Sequence, residues 1–250
     1  MPITLSEFNE IEHKVITLMG MSGVGKTYLS TMLGQQGWCH SSCDYRIAKA
    51  LGLGEQVTRQ DISALSEYVG RLGDPEKGGL PLEEFRARQQ AYFKAECEAL
   101  AGLKDRVKQA HDEGFTHVVN DSTGSMCEID DDILLDTVDE NSLIVYIKAS
   151  AEEEQAVLER AKMNPKPLFY SPERFEYWLE EYLAESGAAT ADQIEPDDFS
   201  RWVFPRLFEN RLPKYQAIAD KYGTTVPSSA FRGVETADGF RRIIVEHLPA

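Results

Sequence analysis

Long apolar runs are missing from this chain. No stretch of its 250 residues approaches the roughly 18 consecutive apolar side chains of a membrane-spanning helix, so no membrane partner is expected. The opening residues, MPITLSEFNEIEHK, have no basic start followed by an apolar segment, and no signal peptide is expected there. Cysteine is scarce: Cys39, Cys43, Cys97 and Cys127 lack the paired spacing of a disulfide framework. Cys39, His40 and Cys43 lie close together, yet no second Cys/His pair follows at zinc-site spacing. Basic charge is also short, with 26 Lys and Arg against 42 Asp and Glu and a formal net charge of −16. A surface so acidic repels a phosphate backbone, which speaks against nucleic acid as a partner, and the surplus carboxylates read as solvated helix faces. Together these features predict a cytoplasmic protein.

What is present is an alternation of strands and helices. Hydrophobic residues make up 42% and charged residues 27%, ordinary values for a globular chain long enough for one α/β domain with an insertion. Val15–Met19 is apolar, β-branched and followed by glycine, and reads as the clearest strand. Further strands are predicted at residues 38–41, 115–120, 143–147 and 224–226. Helices are predicted at 26–34, with Tyr28, Leu29, Met32 and Leu33 on the buried side, and across 45–70 with interruptions at Gly52 and Gly54. Others follow at 82–113, from the acidic run 128–134, from 150 to 163, at 207–221 and at 237–247. Strands separated by helices at this spacing imply a parallel sheet, because parallel neighbours need crossover connections. Between 164 and 205 the pattern changes: Pro165, Pro167, Pro172, Pro196 and Pro205 punctuate two aromatic-rich helical pieces, 173–185 and 197–204, read as an insertion.

The most specific signal is Gly20, Met21, Ser22, Gly23, Val24, Gly25, Lys26 and Thr27, a full G-x-x-x-x-G-K-[ST] pattern between an apolar strand and a helix. Its glycines free the backbone to turn N–H groups around phosphate oxygens, and the helix that follows points its positive end at the same anion. Lys26 supplies charge to the β- and γ-phosphates, and the Thr27 hydroxyl is suited to Mg²⁺. The nucleotide-binding candidates run on to Tyr28. The Asn/Thr-Lys-x-Asp base-reading motif of GTPases is absent, which favours ATP. The expected cofactors are thus ATP and Mg²⁺.

The ordered landmarks resemble shikimate kinase and its relatives among small-molecule and nucleotide kinases. The resemblance implies an α/β P-loop NTPase three-layer fold with a five-stranded parallel sheet and helical insertions. It further implies a single kinase-like domain over 1–250, a helical substrate-binding region at 45–113, and a lid and helical insertion at 160–206. Ser42-Cys43-Asp44-Tyr45-Arg46-Ile47 is similar to the family's Asp-x-Asp-x-x-Ile, with Ser42 in place of the first aspartate. By resemblance Asp44 meets the acceptor hydroxyl; the competing reading makes it the cap of a helix starting at Tyr45. Glu84-Phe85-Arg86 resembles the region whose arginine holds an acidic substrate group, with Arg88 as a fallback and a solvated surface arginine as the alternative.

Where shikimate kinases carry three glycines after the third strand, this chain has Asp121-Ser122-Thr123-Gly124-Ser125. Asp121, at the C-terminal edge of a central strand, is a candidate for magnesium's water shell or a substrate hydroxyl, or a turn former. Ser122 and Thr123 are candidate substrate contacts. The run from Arg160 to Leu168 resembles the family's lid, with Lys166 where its last arginine stands. Arg160 is then the lid cation, with Arg174 or Arg206 as substitutes. Arg211-Leu212-Pro213-Lys214-Tyr215 is similar to the family's Arg-x-Pro-x-Tyr helix, making Arg211 a substrate-binding candidate or an internal ion-pair member. Phe231 and Arg232 are candidates for an adenine sandwich.

The leading functional expectation is an ATP-dependent kinase transferring the γ-phosphoryl to an unidentified small-molecule acceptor, with Lys26, Asp44, Asp121 and Arg160 as its catalytic set. The alternative is an ATPase or nucleotide-dependent switch whose output is a protein contact. In that reading Tyr177, Trp178, Tyr182, Trp202 and Phe204, in the 165–205 insertion, form a partner face rather than the insertion's own core. A toxin-like kinase acting on a nucleotide sugar is a third, weaker option.

Overall fold

The computed structural model describes residues 3–54 and 59–249; the part of the expected 45–70 helical stretch at 55–58 lies outside the described residues. The chain divides into two compact units. The first comprises Met1–Cys43, Cys97–Glu154 and Pro213–Ala250, the second Asp44–Glu96 and Gln155–Leu212.

The first unit opens with a short helix, α1 (Leu5–Glu10), which sequence reasoning passed over. Its signal is a capping box: the Glu7 N–H donates to the Thr4 hydroxyl while the Glu7 carboxylate takes the Thr4 N–H at 2.8 Å. Then come β1 (Val15–Met19), α2 (Lys26–Gln35) and β2 (Cys39–Ser42). All five strands run parallel, the others being β3 (Val118–Asp121), β4 (Leu143–Lys148) and β5 (Gly223–Pro227), in the order β2-β3-β1-β4-β5. This is the five-stranded parallel α/β sheet expected, with the predicted strands in place to within a few residues.

The sheet is covered on both faces. Ile16, Leu18, Val119, Val145 and Ile147 pack one face against Leu29 and Leu33 of α2, and against Phe240, Ile243 and Ile244 of the C-terminal helix Ala237–Glu246. On the other face Cys39 and Val118 meet Ala110 and Val107 of the helix Leu103–Asp112. The expected single helix over 82–113 is two, Leu82–Ala101 and Leu103–Asp112, parted at Gly102, the residue with the least backbone reason to stay helical.

The second unit is helical and closes its own aromatic core. Phe85, Tyr170, Phe175, Trp178, Tyr182 and Phe199 are buried together, with Trp202 packed at the edge. Most of the aromatics considered for a partner face therefore form a core; among them Tyr177 is 58% exposed. The helices expected at 197–204 and 207–221 are one, Pro196–Tyr222, which runs through Pro205 and Pro213. Each proline forgoes one helical hydrogen bond. Phe199, Val203 and Leu207, spaced four apart, stay buried across the first of them, and that burial outweighs the local preference to break.

Candidate active site

The phosphate-loop sequence sits at the C-terminal end of β1, with β3 on one side and β4 on the other. In open parallel sheets this edge, where neighbouring connections part to opposite faces, is where ligands bind. Gly20, Gly23 and Gly25 have φ of +146°, +88° and +106°, conformations that side chains oppose. At Gly20 the need is also steric, since a Cβ would stand 2.7 Å from the Ile147 carbonyl oxygen. Gly25 caps α2 with no side-chain hydrogen bond, so the first N–H groups of that helix are left for an anion.

Lys26 is buried and folds back over the loop, its ammonium donating to the carbonyls of Gly20 at 2.7 Å and Met21 at 3.0 Å. Beside it Thr27 is exposed, and its hydroxyl has no partner among the described residues. Tyr28 was expected on the buried side of the helix; it is 61% exposed instead, because Leu29, Met32 and Leu33 already fill that face. The cradle's glycines, the uncapped helix start and the buried ammonium fit a polyphosphate.

Asp121 ends β3 in register with Leu18 of β1 and Ser42 of β2. Alternation puts it on the face of Val119 and Leu18, against which α2 packs. It is buried, with its carboxylate 3.7 Å from Nε2 of His40, two residues back along the neighbouring strand. Sequence reasoning missed this neighbour; the strand order that brings β2 beside β3 is the signal that would have found it. Thr27 and Asp121 supply oxygen donors, the ligand type Mg²⁺ prefers.

The opposite face carries a buried polar row. Asn120 donates to Thr17 at 3.3 Å, Thr17 and Ser142 share a hydrogen bond of 2.7 Å, and the Cys43 thiol meets the Asn120 oxygen at 3.5 Å. Cys39 is contacted by the Arg106 guanidinium at 2.8 Å, and burial raises its thiol pKa above the ordinary value.

After Asp121 the chain turns inward. Ser122 donates both its N–H, at 3.2 Å, and its hydroxyl, at 2.7 Å, to the Leu18 carbonyl. Thr123 and Ser125 share a hydroxyl contact of 3.2 Å, and all three residues are buried. The hydroxyls of Ser122 and Thr123 thus take part in holding the loop's own shape. Glu128 beyond them is buried and pairs with Lys214 at 2.5 Å, while Tyr215 donates its hydroxyl to the Gly124 carbonyl.

The remaining candidates belong to the second unit, apart from Phe231 and Arg232. Asp44 is half-buried in the first turn of the helix Cys43–Ala50, not at its cap, since that helix starts one residue earlier. Arg86 makes a two-pronged pair with Glu176 at 2.7 and 2.6 Å and also reaches Glu83 at 3.1 Å. Arg88 donates to the Tyr68 carbonyl and to Glu84. Arg211 donates to the Phe169 carbonyl at 2.8 Å.

Arg206 lies 3.6 Å over the Trp202 ring, with Glu181 and Glu185 close by, so its cation is engaged in the helical core's rim. Arg160 and Arg174 are exposed, and neither side chain has a partner among the described residues. The adenine guess at Phe231 is corrected: the ring is buried and stacks on Phe240 at 5.5 Å, and Arg232 pairs with Glu153 at 3.2 Å.

No protein-family model and no curated protein matches the chain. Solved structures similar to it include the shikimate kinase from Bacteroides thetaiotaomicron, 13% identical, covering 93% of this chain and 95% of that one with a TM-score of 0.43. The shikimate kinase from Acinetobacter baumannii in complex with shikimate is 16% identical over 83% of this chain and 99% of its own, with a TM-score of 0.35. For the shikimate kinase from Aquifex aeolicus the values are 16%, 79%, 98% and 0.31. The strand order and the phosphate loop, rather than these distant likenesses, carry the fold.

Proposed function

We propose that this chain is an ATP-dependent phosphotransferase that moves the γ-phosphoryl group of ATP to a small-molecule acceptor. The observation that supports this reading most is the glycine-shaped loop at the end of β1 with the buried Asp121 carboxylate on the adjacent strand and the same face. In this reading the loop's N–H groups and the start of α2 bind the phosphates, and Lys26 leaves its two carbonyl partners for the β- and γ-phosphate oxygens. Mg²⁺, held by Thr27 and through water by Asp121, would neutralise phosphate charge. Catalysis is then positioning plus electrostatics, with no covalent intermediate.

From the resemblance, Asp44 is proposed to orient the acceptor hydroxyl and Arg160 to meet charge on the transferring group. Arg160's exposure, and its lack of a partner among the described residues, suit that task. Arg86 and Arg211 are weaker candidates for an acidic acceptor, because their guanidinium groups already have protein partners. Ser122 and Thr123 would contact an acceptor only by exchanging hydrogen bonds they now make within the loop. A cytoplasmic setting is part of the proposal; among the described residues no helix is long and apolar enough to cross a membrane.

The test is ATP turnover with and without a panel of hydroxylated and phosphorylated metabolites, with Lys26→Ala as the blank. Strong stimulation by one acceptor, with a phosphorylated product, is expected. Slow turnover indifferent to every metabolite would instead support the ATPase or switch.

A further inference from the structure

We infer that residues 122–128 form a strut that sets the position of the phosphate cradle, and that Tyr215 and Lys214 are positioning residues for nucleotide binding. The inference rests on the reading of residues 20–27 as a nucleotide site. It adds residues that touch no phosphate and that the glycine-lysine pattern does not include.

One end of the strut is fixed to β1, where Ser122 gives both its N–H and its hydroxyl to the Leu18 carbonyl, two residues before Gly20. The other end is fixed to the C-terminal part of the helix Pro196–Tyr222, which from Pro213 on belongs to the first unit. There Tyr215 donates to the Gly124 carbonyl, and Lys214 pairs with Glu128, whose side chain is 1% exposed. Tyr215 is itself held: it is fully buried, and its ring stacks on Tyr146 of β4 with centroids 5.3 Å apart and planes 18° apart. Burial in this stack pushes the Tyr146 phenol up to about 12.

Between these anchors the strut bears directly on the cradle. A Cβ at Gly124 would lie 3.2 Å from the backbone nitrogen of Ser22 and 3.6 Å from its Cβ. Ser22 is inside the phosphate loop, so a side chain at Gly124 would crowd a loop amide. The glycine there is not required by backbone conformation, because Gly124 is not among the positive-φ residues. Its requirement is closeness to Ser22. A helix residue that fixes the Gly124 carbonyl therefore fixes how the Ser22 amide is presented to phosphate.

The experiment measures Mg·ATP affinity, by displacement of a fluorescent ATP analogue, alongside thermal stability. Gly124→Ala puts no side chain at a positive φ and reads the push on Ser22. Loss of one charge-assisted amide contact predicts affinity lower by about tenfold. Tyr215→Phe keeps the stacked ring and deletes the hydroxyl, and Lys214→Met breaks the pair with Glu128; each is expected to weaken binding about threefold, a fraction of that contact. Lys214→Arg should restore it.

Thr224→Val is the control, since it removes another half-buried hydroxyl bond, to the His247 carbonyl, away from the strut. It should lower stability and leave affinity unchanged. Variants at 124, 214 and 215 that lose stability but bind Mg·ATP like the wild type would overturn the inference alone. Absence of wild-type binding would overturn the nucleotide reading, and this inference with it.

Discussion

Alanine in place of Gly20 meets two separate costs, and a second glycine allows them to be told apart. Gly20 has φ of +146°, and a Cβ there would sit 2.7 Å from the Ile147 carbonyl oxygen and 3.3 Å from a Val24 methyl. Gly114 also has a positive φ, +92°, but its added Cβ would meet nothing within 4 Å. The backbone cost is common to both, about 1–2 kcal/mol for a side chain forced into a left-handed conformation. Only Gly20 adds overpacking, about 1–3 kcal/mol where atoms cannot move aside, and the obstacle here is backbone of the central strand β4.

Gly20→Ala should thus cost about 2–5 kcal/mol and Gly114→Ala about 1–2 kcal/mol. For a chain of this length each kcal/mol lowers Tm by about 2–4 °C, so Gly20→Ala should melt at least about 2–4 °C below Gly114→Ala. Thermal and urea unfolding of the two variants side by side is the assay. Equal melting temperatures would refute the placement of the loop over the end of β4, and with it the geometry on which the phosphate site depends.

Two further outcomes follow from the core and from a half-buried imidazole. Phe85 is 1% exposed and packs on Phe175 at 5.2 Å, so Phe85→Ala should cost about 3–5 kcal/mol in urea unfolding. Tyr177→Ala, on the surface, should change stability by no more than about 0.5 kcal/mol; equal effects would contradict the assignment of the aromatic core. Burial, aided by the charges of Arg241 and Lys14, holds the pKa of His117 below its ordinary value, and its Nδ1 accepts the Lys14 N–H at 3.1 Å. The fold therefore prefers the neutral ring. That stability is complete above the unfolded pKa of about 6.5 and is lost as pH falls below it, by at most about 1.4 kcal/mol per pH unit for one proton. Unfolding free energies between pH 7.5 and 5.5 should fall less steeply in His117→Gln than in the wild type, and equal slopes would sink this assignment.

The sheet was legible because its strands are apolar and its punctuation is strong. Val15–Met19 is legible to the residue, since a β-branched run ends at a glycine whose conformation side chains oppose. The helix Pro196–Tyr222 was not, because Pro205 argues locally for a break while the burial of Phe199, Val203 and Leu207 is visible only in three dimensions. Similar reasoning covers the site. Lys26 and its glycines announce themselves by pattern, whereas Arg86 and Phe231 could be weighed only once their partners, Glu176 and Phe240, were known. His40 reaches Asp121 through the strand order, and Tyr215, though it ends the Arg-x-Pro-x-Tyr pattern, meets the Gly124 carbonyl only through helix packing.

The phosphate site is tested most directly by calorimetric titration of the protein with ATP in the presence and absence of Mg²⁺. The expected result is saturable binding at one site, strengthened by Mg²⁺ and abolished in Lys26→Ala. Binding that is unchanged in Lys26→Ala, or no binding by the wild type at all, would contradict it.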